Sequence, residues 1–101
     1  MKLYIDTSSN QKTIVRLDKE FLEKDSSTWH SQVVLPMIEE ILAKCKKELK
    51  DITEIEINPG PGSFVGLRVG ASIANALGYA LKIPVNGKKP WEMEIMEPTY
   101  E

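Results

Sequence analysis

Three groups of residues in this chain are of types that could do chemistry. The first is Asn58-Pro-Gly-Pro-Gly-Ser63, a glycine-rich stretch between a short alternating segment and a long apolar one. Backbone N–H groups in such a turn can point at an anion, helped by the positive end of a following helix. Gly60, Gly62 and Ser63 are therefore candidate phosphate- or nucleotide-binding residues. The stretch lacks the Gly-Lys-Ser/Thr ending of a Walker A loop, and glycines at 60, 62 and 66 do not have dinucleotide-fingerprint spacing. Pro59 and Pro61 stiffen it, so a rigid strand-to-helix turn capped by Ser63 competes with anion binding.

The second group is Cys45, His30 and Ser31. One cysteine admits no internal disulfide, and one cysteine with one histidine makes a poor structural zinc set. Cys45 falls at an apolar helical position, where a free thiol packs as a small core residue. Ser31 beside His30 has no acid partner at useful spacing, and adjacent helical residues do not face each other, so no catalytic triad is read there. The third group is the basic run Lys44–Lys50, interrupted by Cys45, Glu48 and Leu49. At a helix end it reads as a solvated face complementing the dipole. With 13 basic and 15 acidic residues, for a net charge of -2, no global field favours nucleic acid. No apolar run is read as membrane-spanning, and Met-Lys-Leu-Tyr-Ile-Asp6 reads as too short and polar for a signal peptide, so a cytoplasmic protein is expected.

These residues must be positioned by one domain, the amount that 101 residues allow. Alternation predicts strands over Lys2–Thr7, Lys12–Asp18, Lys19–Lys24 and Ile52–Asn58, with Ile83-Pro84-Val85 as a short fifth. Ser26-Ser27-Thr28 offers caps for a helix reaching about Leu49, with a kink or late start at Pro36. Its apolar positions form two stripes: Leu35, Ile38, Leu42, Cys45 and Leu49, and beside them Val34, Met37 and Ile41. A second helix is predicted from about Phe64 to Lys82, and Lys88–Glu101 reads as a polar tail carrying Trp91, Ile95 and Tyr100. The order describes an α/β fold with a mixed five-stranded sheet and two main helices, the domain occupying 1–87 and the tail 88–101.

The second helix carries two ridges. Val69, Ile73, Leu77 and Leu81 form a large apolar one, and Gly66, Gly70, Ala74 and Gly78 form one with almost no side chain. Arg68, Ser72, Asn75, Tyr79 and Lys82 share a narrow polar strip. Glycine in a helix costs about 1 kcal/mol relative to alanine, so the small ridge requires a close neighbour, read as another helix. The apolar surface of the two helices exceeds what one sheet face buries. Val34, Met37, Ile41, Gly66, Gly70, Ala74 and Gly78 are therefore expected to form a protein interface, with a partner or with a second copy of the chain.

The chain resembles the TsaB (YeaZ) family of tRNA N6-threonylcarbamoyladenosine biosynthesis. The residues that carry the likeness are Ile5-Asp6-Thr7-Ser8, His30-Ser31-Gln32, Leu35-Pro36-Met37-Ile38, Gly60-Pro-Gly-Ser-Phe-Val-Gly-Leu-Arg-Val-Gly70 and Ile83-Pro84-Val85. The family pattern usually has Thr where this chain has Val65. The resemblance covers about residues 1–87 and implies an RNase H-like, actin-like (ASKHA) domain. It implies a non-catalytic scaffold that pairs with TsaD through a helical bundle, with a TsaE-like ATPase joining the assembly, and no cofactor. TsaD holds its metal on a His-x-x-x-His pair; here His30 is followed four residues on by Val34, so no metal site is expected. Asp6 corresponds to a phosphate-side residue of related ATPases but is read as a polar residue ending a strand. The family's second domain has no counterpart here. Residues 94–100 resemble the Pro-x-Tyr ending of full-length members, which implies an internal loss.

Overall fold

The computed structural model describes residues 1–9, 11–25 and 30–98, with backbone only for 30–32. Four strands form one sheet in the order β3-β2-β1-β4: β1 (Lys2–Asp6), β2 (Lys12–Leu17), β3 (Glu20–Asp25) and β4 (Glu54–Ile57). The first three are an antiparallel meander, and β4 lies parallel to β1. Asp18, at φ 51°, supplies the left-handed residue that the two-residue turn between β2 and β3 needs. Period-two patterning sends Leu3, Ile5, Val15, Leu17, Ile55 and Ile57 to one buried face. Two helices cover that face: α1 (His30–Lys44) lies on β2 and β3, and α2 (Phe64–Leu81) on β4 and β1. Lys2, Tyr4, Arg16, Glu54 and Glu56 remain on the opposite face, uncovered.

Ile83-Pro84-Val85 does not make the expected fifth strand. It contributes a single parallel bridge, Val85 to Ile55. Pro84 has no N–H to give, and Asn86 at φ 48° turns the chain away. The pairing is completed by a side chain: the Asn86 amide accepts from the Ile57 N–H at 2.8 Å and donates to its carbonyl at 3.0 Å.

α1 runs through Pro36 and stops at Lys44, not at Leu49. Lys46, at φ 57°, reverses the chain, and the Lys47 N–H returns to the Leu42 carbonyl at 2.9 Å. The expected caps Ser26–Thr28 lie outside the described residues. Both apolar stripes of α1 enter the core: Val34, Met37 and Ile41 together with Ile38 and Leu42 are buried, while Leu35 and Leu49 are exposed. The helix is thus buried over a wider arc than the reading of excess apolar surface allowed.

The small ridge of α2 also turns inward. A Cβ at Gly70 would collide with the Thr7 hydroxyl, and one at Gly78 would lie 2.6 Å from Val85 Cγ2 and 2.9 Å from the Ile83 carbonyl. The close neighbour that the glycines require is therefore this chain's own sheet, not another helix. Among the described residues, α2 alone is long and apolar enough, by length and composition, to cross a membrane, which corrects the reading that no such run exists. Six of its residues are buried against the fold.

The tail past residue 87 is more than a polar appendage. Pro90 is buried near Gly78, and the Asn75 amide clasps the backbone of buried Met96, donating to its carbonyl at 3.0 Å and accepting from its N–H at 3.2 Å. Trp91 is half-buried and Ile95 exposed; Tyr100 lies outside the described residues.

Gly70→Ala should lower stability by about 1–3 kcal/mol, because the methyl displaces Thr7 from its hydrogen bond. Urea unfolding measures it; an unchanged midpoint would show that α2 does not depend on this close approach.

Candidate partner-binding face

The glycine loop leaves β4 beside the end of β1, where Asp6 collects the local polar groups. Asp6 Oδ1 accepts from the Ser8 N–H at 2.9 Å and from the Ser8 hydroxyl at 2.6 Å. Its Oδ2 accepts from the Asn58 amide at 3.3 Å and the Tyr4 hydroxyl at 3.5 Å. Partial burial opposes ionisation of Asp6, but the bonds from Ser8 and Asn58 outweigh it and hold the carboxyl below its usual range. Burial, with the Asp6 charge beside it, pushes the Tyr4 phenol up.

The loop closes on the same hub. The Gly60 N–H donates to Asn58 Oδ1 at 2.9 Å, the Ser63 N–H to the Ser8 carbonyl at 2.7 Å, and the Gly66 N–H to Ser63 Oγ at 3.3 Å. The Gly60–Pro61 peptide is cis, Gly60 sits at φ 101°, and a Cβ on Gly62 would lie 2.5 Å from the Ser8 carbonyl. Gly60, Gly62 and Ser63 are thus brought together as the sequence suggested, but as a stiff turn with Ser63 as helix cap. The Gly60, Ser63 and Gly66 N–H groups are engaged by protein oxygens, and the Asp6 carboxylate is tied to the loop through the Asn58 amide. Among the described residues no group of three or more His, Cys, Asp or Glu could hold a metal. The side chains of His30 and Ser31 lie outside the described residues.

The expected interface residues are brought together too, though inside the molecule. Val34, Met37, Ile41, Gly66, Gly70, Ala74 and Gly78 are all buried within this chain. A partner could reach them only by opening the core. What α2 turns outward is a different strip: Val65 is 65% exposed and Tyr79 61%, and Arg68, Ser72, Ala76 and Ala80 are exposed between them. Val69 and Ile73, of the large ridge, border it half-buried. Arg68 is the single charged residue in the helix, and its guanidinium lies 5.4 Å from the centre of the Phe64 ring. Sequence reasoning named Val65 only as the position where the family pattern usually has Thr, and gave Ala76 and Ala80 no role. Their shared helical face was the available signal.

The fold and this face can be set beside known proteins. A family model described as TsaD, tRNA N6-adenosine threonylcarbamoyltransferase, matches residues 5–96. The TsaB protein of Buchnera aphidicola from Acyrthosiphon pisum is 45% identical over 56 residues, covering 55% of this chain and 25% of that protein. TsaB of the Schizaphis graminum strain is 35% identical over 88 residues, covering 84% and 42%. This chain belongs to the TsaD/TsaB family, on its TsaB (YeaZ) side. The solved structure of YeaZ from Pseudomonas aeruginosa superposes with a TM-score of 0.73 at 28% identity, over 83% of this chain and 41% of that one. The RNase H-like, actin-like fold is thereby shared, with four strands in the sheet. The chain spans from a quarter to about two-fifths of the length of these relatives.

Asp6→Asn tests the hub. Because the folded state favours the carboxylate, its contribution is complete above the ordinary value of 3.8 and is lost as pH falls through the lowered folded value. The variant should be about 1–2 kcal/mol less stable at pH 7, with the difference shrinking below pH 4 in denaturant titrations. A difference independent of pH would refute that role.

Proposed function

We propose that this chain is a non-catalytic scaffold of tRNA N6-threonylcarbamoyladenosine synthesis, a cytoplasmic process, and that it pairs with a TsaD-type threonylcarbamoyltransferase. The observation that carries the proposal is the outer strip of α2, an exposed helix face of Val65, Arg68, Ser72, Ala76, Tyr79 and Ala80 with one charge in 18 residues. A surface helix normally turns a polar face to water. One that turns small apolar side chains outward suits close packing against a partner's helix. The names of the relatives support the pathway: TsaB proteins are described as tRNA threonylcarbamoyladenosine biosynthesis proteins, and the matching family model is that of the transferase.

The scaffold role is supported by the state of the glycine loop, whose donors and neighbouring carboxylate hold each other. The pairing surface is moved outward from the first reading: Val65, Arg68, Val69, Ser72, Ile73, Ala76, Tyr79 and Ala80 replace the buried small ridge. A TsaE-like ATPase would join through whatever the heterodimer presents, and a self-paired dimer would compete for the same strip.

Size-exclusion chromatography of the chain mixed with the TsaD-type transferase of the same organism should give a co-eluting complex at micromolar concentration. Ala76→Glu, on an exposed position, should leave the melting temperature unchanged and weaken the complex by about thirtyfold or more. Absence of a complex with the wild-type chain would sink the proposal. ATP with magnesium should leave the melting temperature of the chain alone unmoved; a rise of several degrees would instead favour nucleotide binding at the loop.

A further inference from the structure

The outer strip of α2 carries Ser72 and the Tyr79 hydroxyl among its apolar side chains, and its single charge is Arg68. Phe64–Leu81 contains no Asp or Glu, and no acidic residue stands in its first turn. Arg68 is the fifth residue of the helix. The Phe64 ring lies beside it and holds the guanidinium against the helix without neutralising it. Among the described residues seven ion pairs join lysines to glutamates, and Arg68 is in none of them. The outer face of α2 is therefore positive on a chain whose net charge is -2.

A partner helix that covers Val65, Ala76 and Ala80 also takes water away from Arg68. An unpaired guanidinium in such a contact is strongly unfavourable, whereas a carboxylate meeting its fork of donors makes a short, bidentate pair. We infer that Arg68 is a specificity-determining residue of the partner-binding face, which accepts an apolar, small-residue helix only when that helix places an Asp or Glu opposite the first turns of α2. The inference rests on the proposed pairing and specifies the chemistry of the partner. A second copy packing α2 against α2 cannot meet the requirement from that helix.

Binding of the TsaD-type transferase to the wild-type chain, Arg68→Met and Arg68→Glu, measured by titration calorimetry at low and high salt, tests the inference. The wild-type affinity should fall as salt rises. Arg68→Met, which keeps length and apolar contact, should bind about thirtyfold more weakly and lose that salt dependence. Arg68→Glu should bind more weakly still, and a Lys replacing the transferase carboxylate found opposite it should restore binding. All variants should keep the wild-type melting temperature, since Arg68 is exposed. Wild-type binding with Arg68→Met equally tight would overturn the role of Arg68 and leave the pairing standing. No binding by the wild-type chain would overturn both.

Discussion

The hydroxyl of Thr7 holds this small domain in register. It sits at the end of β1, 3% exposed, and donates to the carbonyl of Gly66 in the first turn of α2 at 2.6 Å. The bond forms only because Gly70, one turn later, has no side chain to fill that space. A buried hydroxyl without a partner is costly, so the glycine and the threonine depend on each other. From this contact the loop Asn58–Ser63 is fixed at its far end and Asp6 at its near end, since Ser8, two residues from Asp6, accepts from the Ser63 N–H of the loop and donates to the Asp6 carboxylate. The close seating of α2 continues along Gly78 to Val85, which places the last bridge of the sheet.

That seating decides which surface of α2 faces out. With glycine and alanine against the strands, the larger Val69, Ile73 and Leu77 are carried to the margin, and Val65, Arg68 and Ala76 to the outside. The domain therefore holds its own helix tightly and presents a second, weaker apolar face beyond it. The glycine loop contributes to the same end as a mechanical joint. Its hydrogen bonds run inward to Asp6, Ser8 and Asn58, and what they support is the orientation of α2.

Much of this was legible in the sequence. The period of two in Lys2–Thr7 and Ile52–Asn58 gives the parallel pair of β1 and β4, and the four-residue spacing from Gly66 to Gly78 announces a close approach. The identity of the neighbour was not legible, because a small ridge fits a sheet as well as a helix and spacing does not distinguish them. The inward turn of both stripes of α1 was missed for a related reason: the helix lies in the angle between sheet and α2, and that angle is a tertiary property. The fifth strand failed on local chemistry, as Pro84 lacks a donor and Asn86 adopts a left-handed backbone. The clasp of Asn75 on Met96 joins residues 21 apart through backbone groups that every residue carries, so no side-chain pattern announced it.

The Asn86 side chain has a further consequence. By taking both the N–H and the carbonyl of Ile57, it seals the β4 edge with a side chain where a strand would otherwise be welcome. At the other end of the sheet, β3 carries Glu20, Glu23, Lys24 and Asp25 along its length. Neither border invites a foreign strand, a common route to fibrils and disordered aggregates. A chain that exposes apolar side chains on α2 is thereby protected at its sheet borders against the less selective, strand-to-strand kind of association.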